Sequence, residues 1–163
     1  MKVRLLAMLA AAVLASGCRL RDQSSGGNDA GAPDVDVDSP SGQGYFAVQA
    51  RQCAQCHQSP DPADGVLSGQ DTPVPGSMAY GSNLTPDPDT GLDLQDAGTL
   101  AASILAAMAI DGGPLCPAMP AYGDAGMGRA EALHIAAYLQ GLTPVWHPVP
   151  PSTCAVKPAG DGG

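Results

Sequence analysis

Aromatic side chains are scarce in this sequence. Its 163 residues include one Trp, one Phe and four Tyr, against 21 Gly and 16 Pro. So little aromatic volume predicts a thin hydrophobic core, and small domains with thin cores usually depend on disulfides, a metal or a cofactor. The many Gly and Pro residues indicate long irregular connections, and the length suits one small domain.

Basic residues are few as well. Seven Lys and Arg residues stand against 16 Asp and Glu residues, which gives a formal net charge of −9 at pH 7. A chain of this charge is repelled by the phosphate backbone of nucleic acids. We therefore expect no nucleic-acid partner.

Long apolar runs are missing too. The run Leu5–Ala15 has 11 residues, whereas a membrane-spanning helix needs about 20. Lys2 and Arg4 precede this run, and small residues follow it before Cys18. This order of basic, apolar and small residues is typical of a secretory signal peptide.

The end of this segment, LASGC, resembles the lipobox of bacterial lipoproteins, in which cleavage precedes a cysteine that becomes lipidated. We expect residues 1–17 to be removed as a signal peptide and Cys18 to carry acyl chains that anchor the protein to a bacterial membrane. Ordinary cleavage nearby is the alternative. In either case we expect the protein to be exported to the periplasmic side of the membrane. An inner-membrane retention signal would have Asp directly after the lipidated cysteine, and Arg19 at this position favours the outer membrane.

The composition of residues 18–41 predicts a flexible acidic linker that follows the lipid anchor in the chain. They are rich in Gly, Ser, Pro and Asp and have no apolar periodicity, so they offer too little apolar surface to fold. Removal of residues 1–17 would leave five basic against 16 acidic residues in the mature chain. The exported protein is therefore expected to be more acidic than its precursor.

The stretch RQCAQCH contains Cys53 and Cys56, followed at once by His57. Cysteines at this spacing serve as a dithiol redox pair, as half of a zinc site or as the attachment site of haem c. A zinc site needs a second paired element, and the sequence has neither another CxxC nor an HxxxH. A thioredoxin-like pair expects a βαβ context, and no β-rich alternating runs flank this stretch.

Haem c accounts for all three residues. Cys53 and Cys56 would form thioethers with the two vinyl groups, and His57 would bind the iron as the proximal ligand. The macrocycle would also supply the large rigid apolar centre that the thin core lacks. We therefore favour one covalently bound haem c over the zinc and dithiol alternatives.

Apolar periodicity and helix-boundary signals predict an all-α fold with Pro/Gly-rich loops. The predicted helices are Tyr45–Gln52, Asp96–Ile110 with Asp96 as its N-cap, and Gly128–Gln140. Met108 lies on the apolar stripe of the second helix, so we expect it in the core. No segment reads as a strand.

Four segments in this order, GQGYFAVQARQCAQCH, GSNLTPDPDTGL, DGGPLCPAMPAYG and EALHIAAYLQGL, resemble the signatures of monohaem class I cytochromes c. They are most similar to the cytochrome c domains of bacterial alcohol dehydrogenase cytochrome subunits. The resemblance covers about residues 42–142. It implies, for residues 42–143, a class I cytochrome c fold with three to five short helices around one covalently bound haem. Those subunits carry several haems, whereas this chain has one CxxCH motif.

The distal ligand is expected in the segment CPAMP. Pro117 and Pro120 bracket Met119 and restrict its backbone. Met119 also matches the distal methionine of the family that the chain resembles, so we expect it to bind the iron. Met78 and Met127 are the alternatives.

The segment NLTPD has two interpretations. The resemblance places this loop beside the haem propionates and makes Asn83 a candidate cofactor contact. The alternative is a set of turn-forming residues that only shapes the cavity wall. We favour the alternative and keep Asn83 as a candidate.

The remaining cysteines predict a disulfide. Of five cysteines, one is assigned to lipid and two to haem, which leaves Cys116 and Cys154. In an oxidising exported location these two are expected to pair and to tie the Pro-rich tail, residues 144–163, to the loop that carries Met119. Two free thiols are the alternative.

These assignments predict a membrane-anchored periplasmic c-type cytochrome with His/Met haem ligation. It would transfer single electrons between redox protein partners, a dehydrogenase or a terminal oxidase. No nucleophile motif indicates an enzyme, and we expect a monomer. The alternative is a haem-based gas sensor or a peroxide-reactive haem protein with a labile distal ligand.

Overall fold

The structure is a computed structural model, and it describes residues 36–156. The predicted signal peptide of residues 1–17, the lipidated Cys18 and most of the predicted linker lie outside these residues. The described part contains four α-helices, one short 3-10 helix and two short strands. They are α1 (Pro40–Ala50), α2 (Ala54–His57), the 3-10 helix (Pro62–Asp64), β1 (Ser77–Met78), α3 (Ala97–Ala106), α4 (Arg129–Gln140) and β2 (Thr153–Val156).

Helix α1 begins earlier than predicted. Ser39 is its N-cap and accepts a hydrogen bond from the backbone of Gly42, while Pro40 occupies the first helical position. Both are strong start signals, but they lie in the stretch interpreted as linker, so the predicted start at Tyr45 is wrong. The helix ends before Gln52, whose φ of 58° is left-handed.

Helix α3 confirms the predicted N-cap and corrects the predicted end. The Asp96 side chain accepts a hydrogen bond from the backbone of Thr99. The helix stops at Ala106, because Ala107 adopts a left-handed φ of 50°. Met108 therefore lies beyond the helix with 37% of its surface exposed, and its prediction as a core residue is wrong.

Helix α4 occupies the position predicted for the third helix, with Gly128 as its N-cap. It packs against both α1 and α3. At the contact with α1, a Cβ on Gly44 would lie 1.9 Å from the carbonyl oxygen of His134, so only glycine fits. The rings of Tyr45 and Tyr138 meet edge to face beside this contact.

The prediction that no segment forms a strand is wrong. Ser77–Met78 and Thr153–Val156 pair as short antiparallel strands. Alternation of apolar and polar residues cannot be recognised in a two-residue strand, because the pattern needs about four residues to show. None of the helices within residues 36–156 has the length and apolar character needed to cross a bilayer.

Candidate cofactor site

The helices and the loops between them line an open cavity of about 520 Å³. Buried core residues line it, and they come from α1 (Val48), α3 (Leu100), the segment before α4 (Met127) and α4 itself (Ile135 and Leu139). The buried residues of the hydrophobic core therefore pack around a cavity and do not fill it. The volume and the apolar lining are those of a small-molecule or cofactor pocket.

Cys53 and Cys56 lie at the wall of this cavity. Cys53 caps the short helix α2 and Cys56 follows within it, so the three-residue spacing brings both side chains to one face. Neither thiol is in a disulfide. Burial raises the pKa of the Cys53 thiol, whereas a redox-active dithiol needs a lowered pKa. The pair suits covalent attachment better than dithiol exchange.

His57 ends α2 and is buried at the same cavity. Its Nδ1 lies 2.8 Å from the carbonyl oxygen of Ser82. A carbonyl only accepts, so Nδ1–H is the donor, and Nε2 keeps its lone pair. Nε2 forms no hydrogen bond to any residue in the 36–156 range. Burial lowers the pKa of His57, with the Ser82 carbonyl opposing this in part, so the imidazole is neutral and able to bind a metal.

The loop that orients His57 packs tightly against α2. A Cβ on Gly81 would lie 1.4 Å from the carbonyl oxygen of Cys56. The absence of a side chain at Gly81 therefore lets Ser82 approach the histidine. Sequence reasoning missed both residues, and the only signal was a glycine preceding the NLTPD motif.

Met119 also lines the cavity. It lies in an irregular loop after α3, and its backbone N–H donates to the carbonyl of Cys116 at 2.8 Å. The structure thus brings Cys53, Cys56, His57 and Met119 to one cavity.

The two alternative methionines occupy different environments. Met127 touches the cavity, but it is 5% exposed and belongs to the packed core cluster. Met78 lies in β1, is 38% exposed and is not part of the cavity wall. Of the three candidates, Met119 is the one that lines the cavity without being part of the core.

Asn83 is buried but does not line the cavity. Its amide group donates to the hydroxyl of Thr90 and to the carbonyl of Val145, at 3.1 and 2.7 Å. Its side-chain oxygen accepts from the backbone and the hydroxyl of Thr85. This side chain has no donor left, so its observed role is to hold the loop against the tail.

The predicted disulfide partners are bonded in the structure. Cys116 and Cys154 form a disulfide, and both touch the cavity wall. Within residues 36–156, His, Cys, Asp and Glu side chains do not form a group of three that could hold a metal ion. The candidate metal ligands are instead one imidazole and one thioether.

The residues present fit a haem c. Two free thiols on one helical turn, a neutral imidazole with an available Nε2 and a thioether share one apolar cavity. None of the described residues that line the cavity is Asp, Glu, Lys or Arg. The neutral hydrogen-bond donors of the wall are Gln52, Tyr80, Ser82, Ser103, Tyr122 and Ser152.

Comparison with known proteins gives one informative likeness. No protein-family profile matches the chain. The chain is similar to a subunit of nicotinate dehydrogenase from Pseudomonas putida, with 31% identity over 109 residues. The matched region covers 66% of this chain and 9% of the relative, so the chain spans a small part of the length of that protein. By its name, the relative is a subunit of a redox enzyme.

Proposed function

We propose that residues 42–143 form a class I cytochrome c domain that transfers single electrons, and that the protein is a carrier and not an enzyme. The observation that carries this proposal is the meeting of Cys53, Cys56, His57 and Met119 at one apolar cavity. The spacing of the first three residues is the attachment pattern of haem c. The likeness to a dehydrogenase subunit supports a redox role.

Each of these side chains has a defined task. Cys53 and Cys56 would hold a haem covalently, each thiol adding across one vinyl group with its hydrogen going to the neighbouring vinyl carbon. His57 would bind the iron through Nε2, and the Ser82 carbonyl holds the ring through Nδ1. Met119 would bind the iron through its sulfur. The haem supplies an iron that alternates between ferrous and ferric states.

The axial residues suit a carrier. A soft thioether favours ferrous iron, so His/Met ligation raises the reduction potential. With His57 and Met119 both bound to the iron, no position would be open to a substrate.

The size of the cavity also supports a resident cofactor. At about 520 Å³ it lies within the range of volumes found for small-molecule and cofactor pockets. A bound macrocycle would give the thin core its packing surface.

The proposed setting extends the predictions from sequence. The relative is named as a dehydrogenase subunit, so we propose that the partners are redox proteins, a dehydrogenase as electron donor and a terminal oxidase or a second carrier as acceptor. The proposed location is the periplasmic side of a bacterial membrane, with the lipid on Cys18 as anchor and the protein as a monomer.

Potentiometric titration of the purified protein, followed by its visible spectrum, tests this function. We expect a single one-electron transition and a ferrous form that does not bind carbon monoxide. Met119→Ala is expected to lower the potential and to open the iron to carbon monoxide, whereas Met78→Ala and the isosteric Met127→Leu leave both unchanged.

A wild-type ferrous spectrum that shifts with carbon monoxide at neutral pH would contradict the carrier and favour the haem sensor. The ligand assignment would be contradicted if Met78→Ala or Met127→Leu lowered the potential and opened the iron to carbon monoxide while Met119→Ala changed neither.

A further inference from the structure

The Cys116–Cys154 disulfide lies beside the proposed distal ligand. It joins residues that are 38 positions apart in sequence. Met119 follows Cys116 by three residues, and its N–H donates to the Cys116 carbonyl at 2.8 Å. The disulfide is therefore attached to the first residue of the turn that presents Met119.

The segment 116–121, called here the distal loop, has few other attachments. Two backbone hydrogen bonds to the end of α3 flank it, from Leu115 to Ala107 at 2.8 Å and from Tyr122 to Ile104 at 3.3 Å. Between them, and counting only partners within residues 36–156, no residue of the distal loop hydrogen-bonds to a distant segment. The disulfide is the covalent link that ties the loop to another part of the described chain.

The other end of the disulfide is well held. Cys154 lies in β2, which pairs with β1. Just before it, the Ser152 hydroxyl accepts from the backbone N–H of Tyr80 at 2.8 Å and donates to the Tyr80 carbonyl at 3.3 Å. Ser82 lies two residues after Tyr80, and its carbonyl orients His57. The disulfide thus connects the distal loop to the segment that holds the proximal histidine.

We propose that the Cys116–Cys154 disulfide is a positioning element for the distal ligand, which holds the sulfur of Met119 at the iron. This inference rests on the proposed haem site. A cross-link restricts the conformations open to the loop that it closes. Without it, the distal loop gains conformational freedom, and Met119 binds the iron only part of the time, which leaves the position open to an external ligand.

The double variant Cys116→Ala/Cys154→Ala tests this role, with Glu131→Ala as its matched control. Glu131 pairs with Arg51 between α1 and α4, away from the distal loop, so the control lowers stability without touching it. Two signals are measured at 25 °C: the weak long-wavelength charge-transfer band of ferric His/Met haem, and binding of carbon monoxide to the ferrous form.

The double variant is expected to lose most of the charge-transfer band and to bind carbon monoxide, while its haem remains covalently attached. The control is expected to keep the band and to exclude carbon monoxide. A double variant that keeps the band and excludes carbon monoxide at 25 °C overturns the proposal, because the disulfide then contributes stability alone.

Chemical reduction gives a second route if the double variant does not accumulate. A water-soluble phosphine cleaves the disulfide of the folded wild-type protein to two thiols and becomes its oxide with oxygen from water. N-ethylmaleimide then caps the thiols, and ferricyanide returns the haem to the ferric state. Unreduced protein treated with the same two reagents is the control, and the expected loss of the band is the same.

The two proposals fail in different ways. Wild-type protein without covalent haem, or without the band, contradicts the proposed function itself. If the wild-type protein carries covalent haem and shows the charge-transfer band, and the protein without the disulfide also keeps the haem and the band, only the positioning role of the disulfide is contradicted.

Discussion

Arg51 and Glu131 form a bidentate ion pair that joins the end of α1 to the first turn of α4. Nε lies 2.8 Å from Oε1 and Nη2 lies 2.9 Å from Oε2. The Arg51 guanidinium lowers the pKa of the Glu131 carboxyl by its hydrogen bonds and charge. Two of the helices that surround the cavity are therefore fastened at one end by a paired charge.

The ion pair predicts a pH-dependent contribution to stability. Because the pKa of Glu131 is depressed in the folded state, its contribution is complete above the ordinary value of 4.5 and is lost as the pH falls through the folded value. Glu131→Gln should lower the melting temperature by a few degrees at pH 7. The difference from wild type should vanish in thermal melts as the pH is lowered below that range.

Arg129→Ala serves as the control, since Arg129 is an exposed arginine in the same turn of α4. A cation is unfavourable at a helix N-terminus, so this variant should melt at or above the wild-type temperature. Equal losses at pH 7 and at low pH for Glu131→Gln would show that the ion pair is not the cause.

The crossing of α1 and α4 predicts a strict need for glycine at position 44. A Cβ there would stand 1.9 Å from the carbonyl oxygen of His134, and backbone atoms cannot move aside as a flexible side chain can. Gly44→Ala should cost about 3 kcal/mol of folding free energy, measured by chemical denaturation of the holoprotein.

Gly113→Ala is the matched control for that substitution. Its added Cβ would meet only the Asp111 carboxylate at 3.6 Å, which is ordinary contact, so its stability should stay close to wild type. A Gly44→Ala protein as stable as Gly113→Ala would contradict the packing described for α1 and α4.

The cavity predicts that the chain folds poorly without its cofactor. Leu84, Leu100, Ile104 and Leu139 all line the cavity, so they lose a packing surface when it is empty. Cys53→Ala/Cys56→Ala should give low helicity by circular dichroism, rapid proteolysis and no cooperative melting.

Met119→Ala is the control for this prediction. It would remove one axial ligand but keep the covalent attachment, so it should stay folded. A cooperative thermal transition in the double cysteine variant would mean that the helices pack into a stable core without the cofactor.

Local signals in the sequence predicted which side chains meet at the candidate site. The spacing of Cys53, Cys56 and His57 depends on a single helical turn, and the Asp96 cap depends on a bond to a residue three positions on. The prolines around Met119 restrict a loop that does reach the cavity. In each case the residues that decide the geometry are close neighbours in the chain.

Features made by distant residues were not predictable in this way. The approach of Gly81 to Cys56 and the bond from His57 to the Ser82 carbonyl depend on how a loop folds back over α2. The pairing of β1 with β2 joins segments far apart in sequence. One hydrogen bond of the Asn83 amide reaches the carbonyl of Val145, 62 residues further along the chain, and no local pattern indicates it.

The charge of the described surface predicts how partners associate. Residues 36–156 contain twelve Asp and Glu residues, and the basic side chains among them are Arg51, which is paired, and Arg129. A redox partner with a basic docking face should reduce the protein about tenfold more slowly when salt rises from about 0.01 M to about 0.15 M. Stopped-flow rates that stay flat or rise with salt would indicate an apolar docking contact instead.

The intact mass of the denatured protein shows whether a haem is covalently bound to it. The protein is expressed in a bacterium that attaches haem c, beside the Cys53→Ala/Cys56→Ala variant as reference. The wild-type polypeptide is expected to carry the added mass of one haem after denaturation, because thioether bonds survive unfolding, and the variant is expected to carry none. A wild-type mass equal to that of the bare polypeptide, from cells that load another c-type cytochrome, would contradict this expectation.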